Sequence, residues 1–78
     1  MIIKVGDKVG VNDGSLLGRG GMITGISIGL SKSDPAGELG VNVKEYDTEL
    51  EYLGAIDYKT DSGENYWAYF NQIEKTVP

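Results

Sequence analysis

Apolar and polar residues alternate with a two-residue period along most of this chain, and the alternation is interrupted by clusters of glycine, asparagine, aspartate and serine. Val9 and Val11 alternate with Lys8 and Gly10, which predicts a strand with one buried face. Asn12, Asp13 and Gly14 supply a turn, since Asn and Asp bond their own backbone and Gly takes positive φ at no steric cost. Gly18, Gly20 and Gly21 flank Arg19 and open a second strand from Met22 to Leu30, with Ile26, Ile28 and Leu30 on one face.

Ser31 to Gly37, with Asp34 and Pro35, reads as an exposed connector. Leu39, Val41 and Val43 predict a third strand over Leu39 to Tyr46, and Asp47 to Glu51 a solvated hairpin end. A fourth strand is expected from Tyr52 to Lys59, in which Tyr52, Ile56 and Tyr58 share a face, followed by a turn over Thr60 to Glu64 with Gly63 at positive φ. The fifth strand, Asn65 to Phe70, is the aromatic centre: Tyr66, Ala68 and Phe70 face one way and Trp67 and Tyr69 the other, so one aromatic face must turn outward. A last short strand is expected at Lys75 to Val77. No segment carries a helical period, and short loops between short strands predict one all-β domain over residues 1 to 78.

From Gly6 to Ile26 the residues Gly6, Asp7, Val9, Val11, Gly14, Gly18, Arg19, Gly21, Ile23 and Ile26 resemble the KOW motif of the SH3-like barrels in ribosomal proteins and transcription elongation factors. That resemblance implies an SH3-like small barrel of five to six short antiparallel strands, with Asn71 to Glu74 as the single 3₁₀ turn near the C-terminus. It also implies a nucleic-acid-binding alternative, with Lys4, Lys8, Arg19 and Lys32 as phosphate contacts. Nucleic-acid-binding members usually carry basic residues in the loop between the first two strands, where this chain has Ser15, Leu16 and Leu17. A looser whole-chain pattern, including Val41-Asn42-Val43-Lys44 and Ile73-Glu74, is similar to the SH3-like subunit IV of photosystem I, a family that docks on a larger complex.

Charge and composition narrow the chemistry. The 78 residues carry a formal net charge of −5. Residues 1 to 33 hold Lys4, Lys8, Arg19 and Lys32 against Asp7 and Asp13, whereas residues 34 to 78 hold ten acids against Lys44, Lys59 and Lys75. This balance disfavours non-specific nucleic-acid binding and suits a basic partner. Histidine and cysteine are absent, which removes the usual general base, the commonest metal ligand, thiolate sites and disulfides. Asp47, Glu49 and Glu51 lack the turn glycine and ligand series of a calcium loop. No nucleophile elbow or phosphate-cradling loop is present, so no enzyme, cofactor or metal is expected.

No apolar run reaches the length of a membrane span, and the expectation is a cytoplasmic protein without membrane insertion. The leading function class is an interaction or docking module, or small accessory subunit. It would use Tyr46, Tyr66, Trp67 and Tyr69 to bind a protein or peptide, with acids such as Asp47, Glu49 and Glu64 beside them. A homo-oligomer that buries the surplus aromatics stays open as well.

Overall fold

In a computed structural model, described for residues 1–12, 19–50 and 52–75, the chain is all-β, and every strand pairing is antiparallel. The strands are β1 (Ile2–Lys4), β2 (Lys8–Val11), β3 (Arg19–Ile28), β4 (Val41–Val43), β5 (Glu45–Asp47), β6 (Gly54–Lys59), β7 (Asn65–Tyr69) and β8 (Ile73–Lys75), with a 3₁₀ turn at Phe70–Gln72. The main sheet runs β7-β6-β3-β2-β8, with β4 also on β3, and β1 pairs with β5 in a separate ribbon. At its ends β7 and β8 are joined by the 3₁₀ turn and are not paired, so the sheet curls without closing.

The ten-residue β3 organises the rest. One side carries β6 from Met22 to Ile28; the other carries β2 opposite residues 19–22 and β4 opposite residues 26–28, so β2 and β4 lie end to end. Between them the register to β6 slips: Ile23 faces Tyr58 and Gly25 faces Asp57, leaving Thr24 as the extra residue of a bulge. A bulge bends its strand and shifts the alternation by one. That is why Ile23 and Ile26, three apart, both point into the core, where two-residue alternation alone would put them on opposite faces. Ile23 also binds across this corner, donating its N–H to the Asp7 carbonyl and accepting from Gly6 N–H, both at 2.9 Å.

The core holds Ile3, Val9, Val11, Ile23, Ile26, Ile28, Tyr46, Ile56, Tyr58, Ala68, Phe70 and Ile73. Ile3 and Tyr46 are paired across the β1–β5 ribbon and turn inward together, which seats the ribbon on the curled sheet. Phe70 stacks on Tyr46 with centroids 5.5 Å apart. The 3₁₀ turn is tied to β2 by a 2.6 Å bond from Asn12 N–H to the Gln72 carbonyl.

Several expected boundaries move. Leu30 is 57% exposed, because β3 ends at Ile28 and the chain turns away before a further inward position arises. The third strand is two short ones: β4 and β5 break at Lys44, whose carbonyl accepts from Val5 N–H as the chain leaves β3 for β1. Leu39 precedes both and is 92% exposed. The fourth strand starts at Gly54, leaving Tyr52 outside it and exposed. The 3₁₀ turn and last strand begin earlier than expected, at Phe70 and Ile73. Gly63 does take positive φ, +89°. The turn expected at Asn12 to Gly14 continues into residues 13–18, which lie outside the described residues, as do Ser15, Leu16 and Leu17.

The connector before β4 is more than a solvated loop. Its backbone makes three successive short turns, Asp34 N–H to the Ser31 carbonyl, Gly37 N–H to Asp34 and Gly40 N–H to Gly37. The Asp34 carboxylate accepts from the Glu38 and Leu39 N–H groups at 2.8 and 2.9 Å. Gly37 has φ +72°, and a Cβ there would stand 2.8 Å from the Ser27 carbonyl carbon, so the loop lies directly on the outer face of β3. Gly37→Ala is expected to lift the loop off the sheet. The cost should be about 1–3 kcal/mol, from left-handed backbone strain and overpacking. A urea midpoint equal to wild type would contradict that close seating.

Candidate docking surface

The surface is set by alternation on three neighbouring strands. Residues of β3 and β6 that do not enter the core are small where β7 carries aromatics. Gly25 faces Asp57, which faces Trp67; one row on, Ser27 faces Ala55, which faces Tyr69. Across β3, Asn42 of β4 stands opposite Ser27 and accepts its hydroxyl bond at 2.9 Å. Small side chains along the middle strands and large ones on the edge strand make a shallow floor with a raised rim.

Trp67 and Tyr69 form that rim. Their rings meet edge to face, 84° apart with centroids at 5.0 Å, and remain 56% and 36% exposed. On one side lies a hollow of about 290 Å³ lined by Trp67, Asp57, Asn42 and the loop residues Ala36, Gly37 and Glu38. Tyr69 borders a more apolar groove of about 380 Å³ with Pro35, Tyr52, Leu53 and Phe70. Tyr52 and Leu53 continue it toward Leu30. Exposed aromatic and aliphatic side chains therefore run together from Trp67 to Leu30, the kind of contiguous patch that marks an interaction site.

The expected anchors separate. Trp67 and Tyr69 are outward and adjacent. Tyr66 is half-buried, packs on Tyr58 at 6.0 Å and donates its hydroxyl to Glu64 at 2.5 Å. Tyr46 is a core residue: it stacks on Phe70, and its hydroxyl accepts from Tyr52 N–H at 3.2 Å, so it is removed from the surface set. Its alternation partner across the ribbon, Ile3, is fully buried, and that pairing draws it inward.

The candidate phosphate contacts lie on different elements. Lys4 is on β1 opposite Glu45, and Lys8 is on β2, 3.7 Å from Asp61. Lys32 sits in the loop after β3 ends at Ile28, at the other end of that strand from the Met22 that pairs with Lys8. Arg19 opens β3 opposite Val11.

Of the acids expected beside the aromatics, Glu64 accepts from the Tyr66 hydroxyl, whereas the other two lie at the end of β5. Asp47 ends β5, where it accepts from Glu49 N–H at 3.0 Å and lies 3.4 Å from the terminal amine, with Glu49 3.6 Å from the same amine. The Glu49 N–H bond, helped by the amine, holds the Asp47 carboxyl below its ordinary range. A carboxyl so lowered adds stability above its unfolded pKa and loses it as pH falls through the folded value. Asp47→Asn is therefore expected to flatten the drop in thermal midpoint below about pH 4. A parallel drop in both proteins would remove that contribution.

Asp57, Glu38, Tyr52 and Leu53 are the surface residues that sequence reading missed. A signal existed for Asp57: the fourth and fifth strands flank the turn over residues 60–64, and closing that hairpin puts Asp57 directly opposite Trp67. Among the described residues no group of three or more His, Cys, Asp or Glu is placed to hold a metal ion, and no helix is long and apolar enough to cross a membrane. No family model, curated protein or solved structure matches this chain.

Proposed function

We propose that this chain is a non-enzymatic interaction module, docking a protein or peptide partner or serving as an accessory subunit, with the Trp67–Tyr69 rim as its working surface. The carrying observation is that two large aromatic side chains stay exposed on an edge strand, locked edge to face, between two grooves. Aromatic anchors give a large contact area for little lost side-chain entropy, and they dominate interface energetics. The return of β8 beside β2 after a 3₁₀ turn supports the SH3-like reading of the fold, a scaffold that hosts many functions. Placement of Lys8 and Lys32 at opposite ends of β3 weighs against the nucleic-acid alternative, since phosphate affinity needs several cations acting together.

The test is affinity capture at low salt from a lysate, with and without nuclease, comparing wild type with Trp67→Ala. A nuclease-resistant protein partner lost with the variant is the expected result. Recovery of RNA or DNA that disappears with nuclease, and that Trp67→Ala leaves unchanged, would replace the docking reading with the nucleic-acid one.

A further inference from the structure

Resting on that docking reading, we infer that the hollow between Trp67 and the loop residues 36–38 seats a lysine or arginine side chain of the partner, while the Tyr52–Leu53–Tyr69 groove takes an apolar residue of the same segment. The two hollows differ in chemistry. Asp57 and Glu38 line the first, with the wall of Trp67 beside them and the Ser27–Asn42 hydrogen bond at its floor. No described lysine or arginine lines it, and no ion pair engages Asp57 or Glu38 among the described residues. Lys44 borders an adjoining hollow that shares Asp57 and Asn42 with this one, without an ion pair to Asp57 among the described residues.

An aromatic wall with two carboxylates attracts a cation by both the ring quadrupole and direct charge. At about 290 Å³ the space falls at the lower end of ligand pockets and fits one long side chain better than a whole small molecule. The second groove is lined chiefly by Pro35, Tyr52, Leu53, Tyr69 and Phe70 and presents no carboxylate among the described residues. The Trp67–Tyr69 ring pair stands between them, with Trp67 lining the first and Tyr69 the second. An extended chain advances about 3.3 Å per residue, so a cation and an apolar residue about three positions apart would straddle that rim. The excess of acids over residues 34 to 78 adds long-range attraction for such a basic segment.

Trp67 is the single tryptophan, so its fluorescence reads the first hollow directly. The experiment uses an array of short unstructured peptides, each with one Lys or Arg and a Leu about three positions later, against versions with Ala or Glu for the cation and Ala for the Leu. The strongest binders are then titrated by Trp67 fluorescence. Binding confined to peptides with both groups is expected. Asp57→Asn and Glu38→Gln should each weaken it about two- to fivefold and reduce its salt dependence. Both replacements are exposed and close to isosteric, and an unchanged near-ultraviolet spectrum of the free protein checks that the fold is kept.

Equal binding of the Ala or Glu peptides, or full affinity in both carboxamide variants, would overturn the cation seat while leaving the aromatic docking surface standing. Unchanged peptide binding by folded Trp67→Ala would remove the docking surface as well. A silent array overturns the seat, and docking is then judged on the lysate capture alone. Fluorescence that shifts with protein concentration in the absence of peptide would identify a second copy of the chain as the occupant and overturn the inference.

Discussion

Trp67→Ala is expected to weaken partner binding about 30-fold or more while the folded protein melts within about 12 °C of wild type. The asymmetry follows from where the ring sits. Trp67 is more than half exposed and outside the core, and its main contact is the edge of Tyr69, worth about 0.5–1.5 kcal/mol. For a domain of this size that corresponds to a fall in melting temperature of about 2–12 °C. On the binding side, truncating a central aromatic anchor typically costs 2 kcal/mol or more, which is the 30-fold loss. Trp67→Phe keeps the apolar wall and should retain most of the affinity. Titration of the captured partner against the three proteins, beside their melting curves, decides the matter. Equal affinities would place the working surface elsewhere.

Ile26→Ala should have the opposite profile. Ile26 is 1% exposed and faces Val43 of β4 on one side and Ile56 of β6 on the other, just past the bulge. Removing a buried aliphatic side chain costs about 2–5 kcal/mol, the upper end where neighbours cannot collapse into the space. Here they are held by strand pairing on both sides of β3, so little relaxation is available. A chain of this length has roughly 4–12 kcal/mol of total stability, and a loss on that scale removes a large part of it. Leu39→Ala provides the contrast: that side chain is almost wholly exposed, and its replacement should stay within about 0.5 kcal/mol. Urea denaturation of the three proteins is the measurement, and coincident curves for Ile26→Ala and Leu39→Ala would mean that Ile26 is not a core residue.

Alternation was legible wherever the strands are regular. Val9 and Val11, Ile26 and Ile28, Ile56 and Tyr58, and Ala68 and Phe70 are all buried as the two-residue period requires. The same rule puts Trp67 and Tyr69 on one face, and burial of Ala68 and Phe70 in the core makes that face the outward one. Where the period fails, a long-range contact has intervened. Ile23 is buried out of phase with Ile26 because the Thr24 bulge resets the strand, and that bulge is stabilised by Asp7 and Gly6, far away in sequence. Leu30 and Tyr52 continue their strands' apolar pattern yet stay exposed, because β3 ends before one and β6 begins after the other. Together they extend the apolar groove, so the positions at which the pattern misleads about burial are part of the candidate surface.

By itself the sequence determined the all-β class, which residues of β6 and of β7 share a face, the positive-φ turn at Gly63 and the need for one aromatic face to turn outward, since each depends on residues within a few positions of one another. The tertiary structure alone decided that Tyr46 is core, that the Gly37 loop lies on β3, and that Glu38, Asp57 and Trp67 border one hollow. Those outcomes depend on which strands become neighbours. That choice is made by burial of side chains distant in sequence, and no local pattern records it.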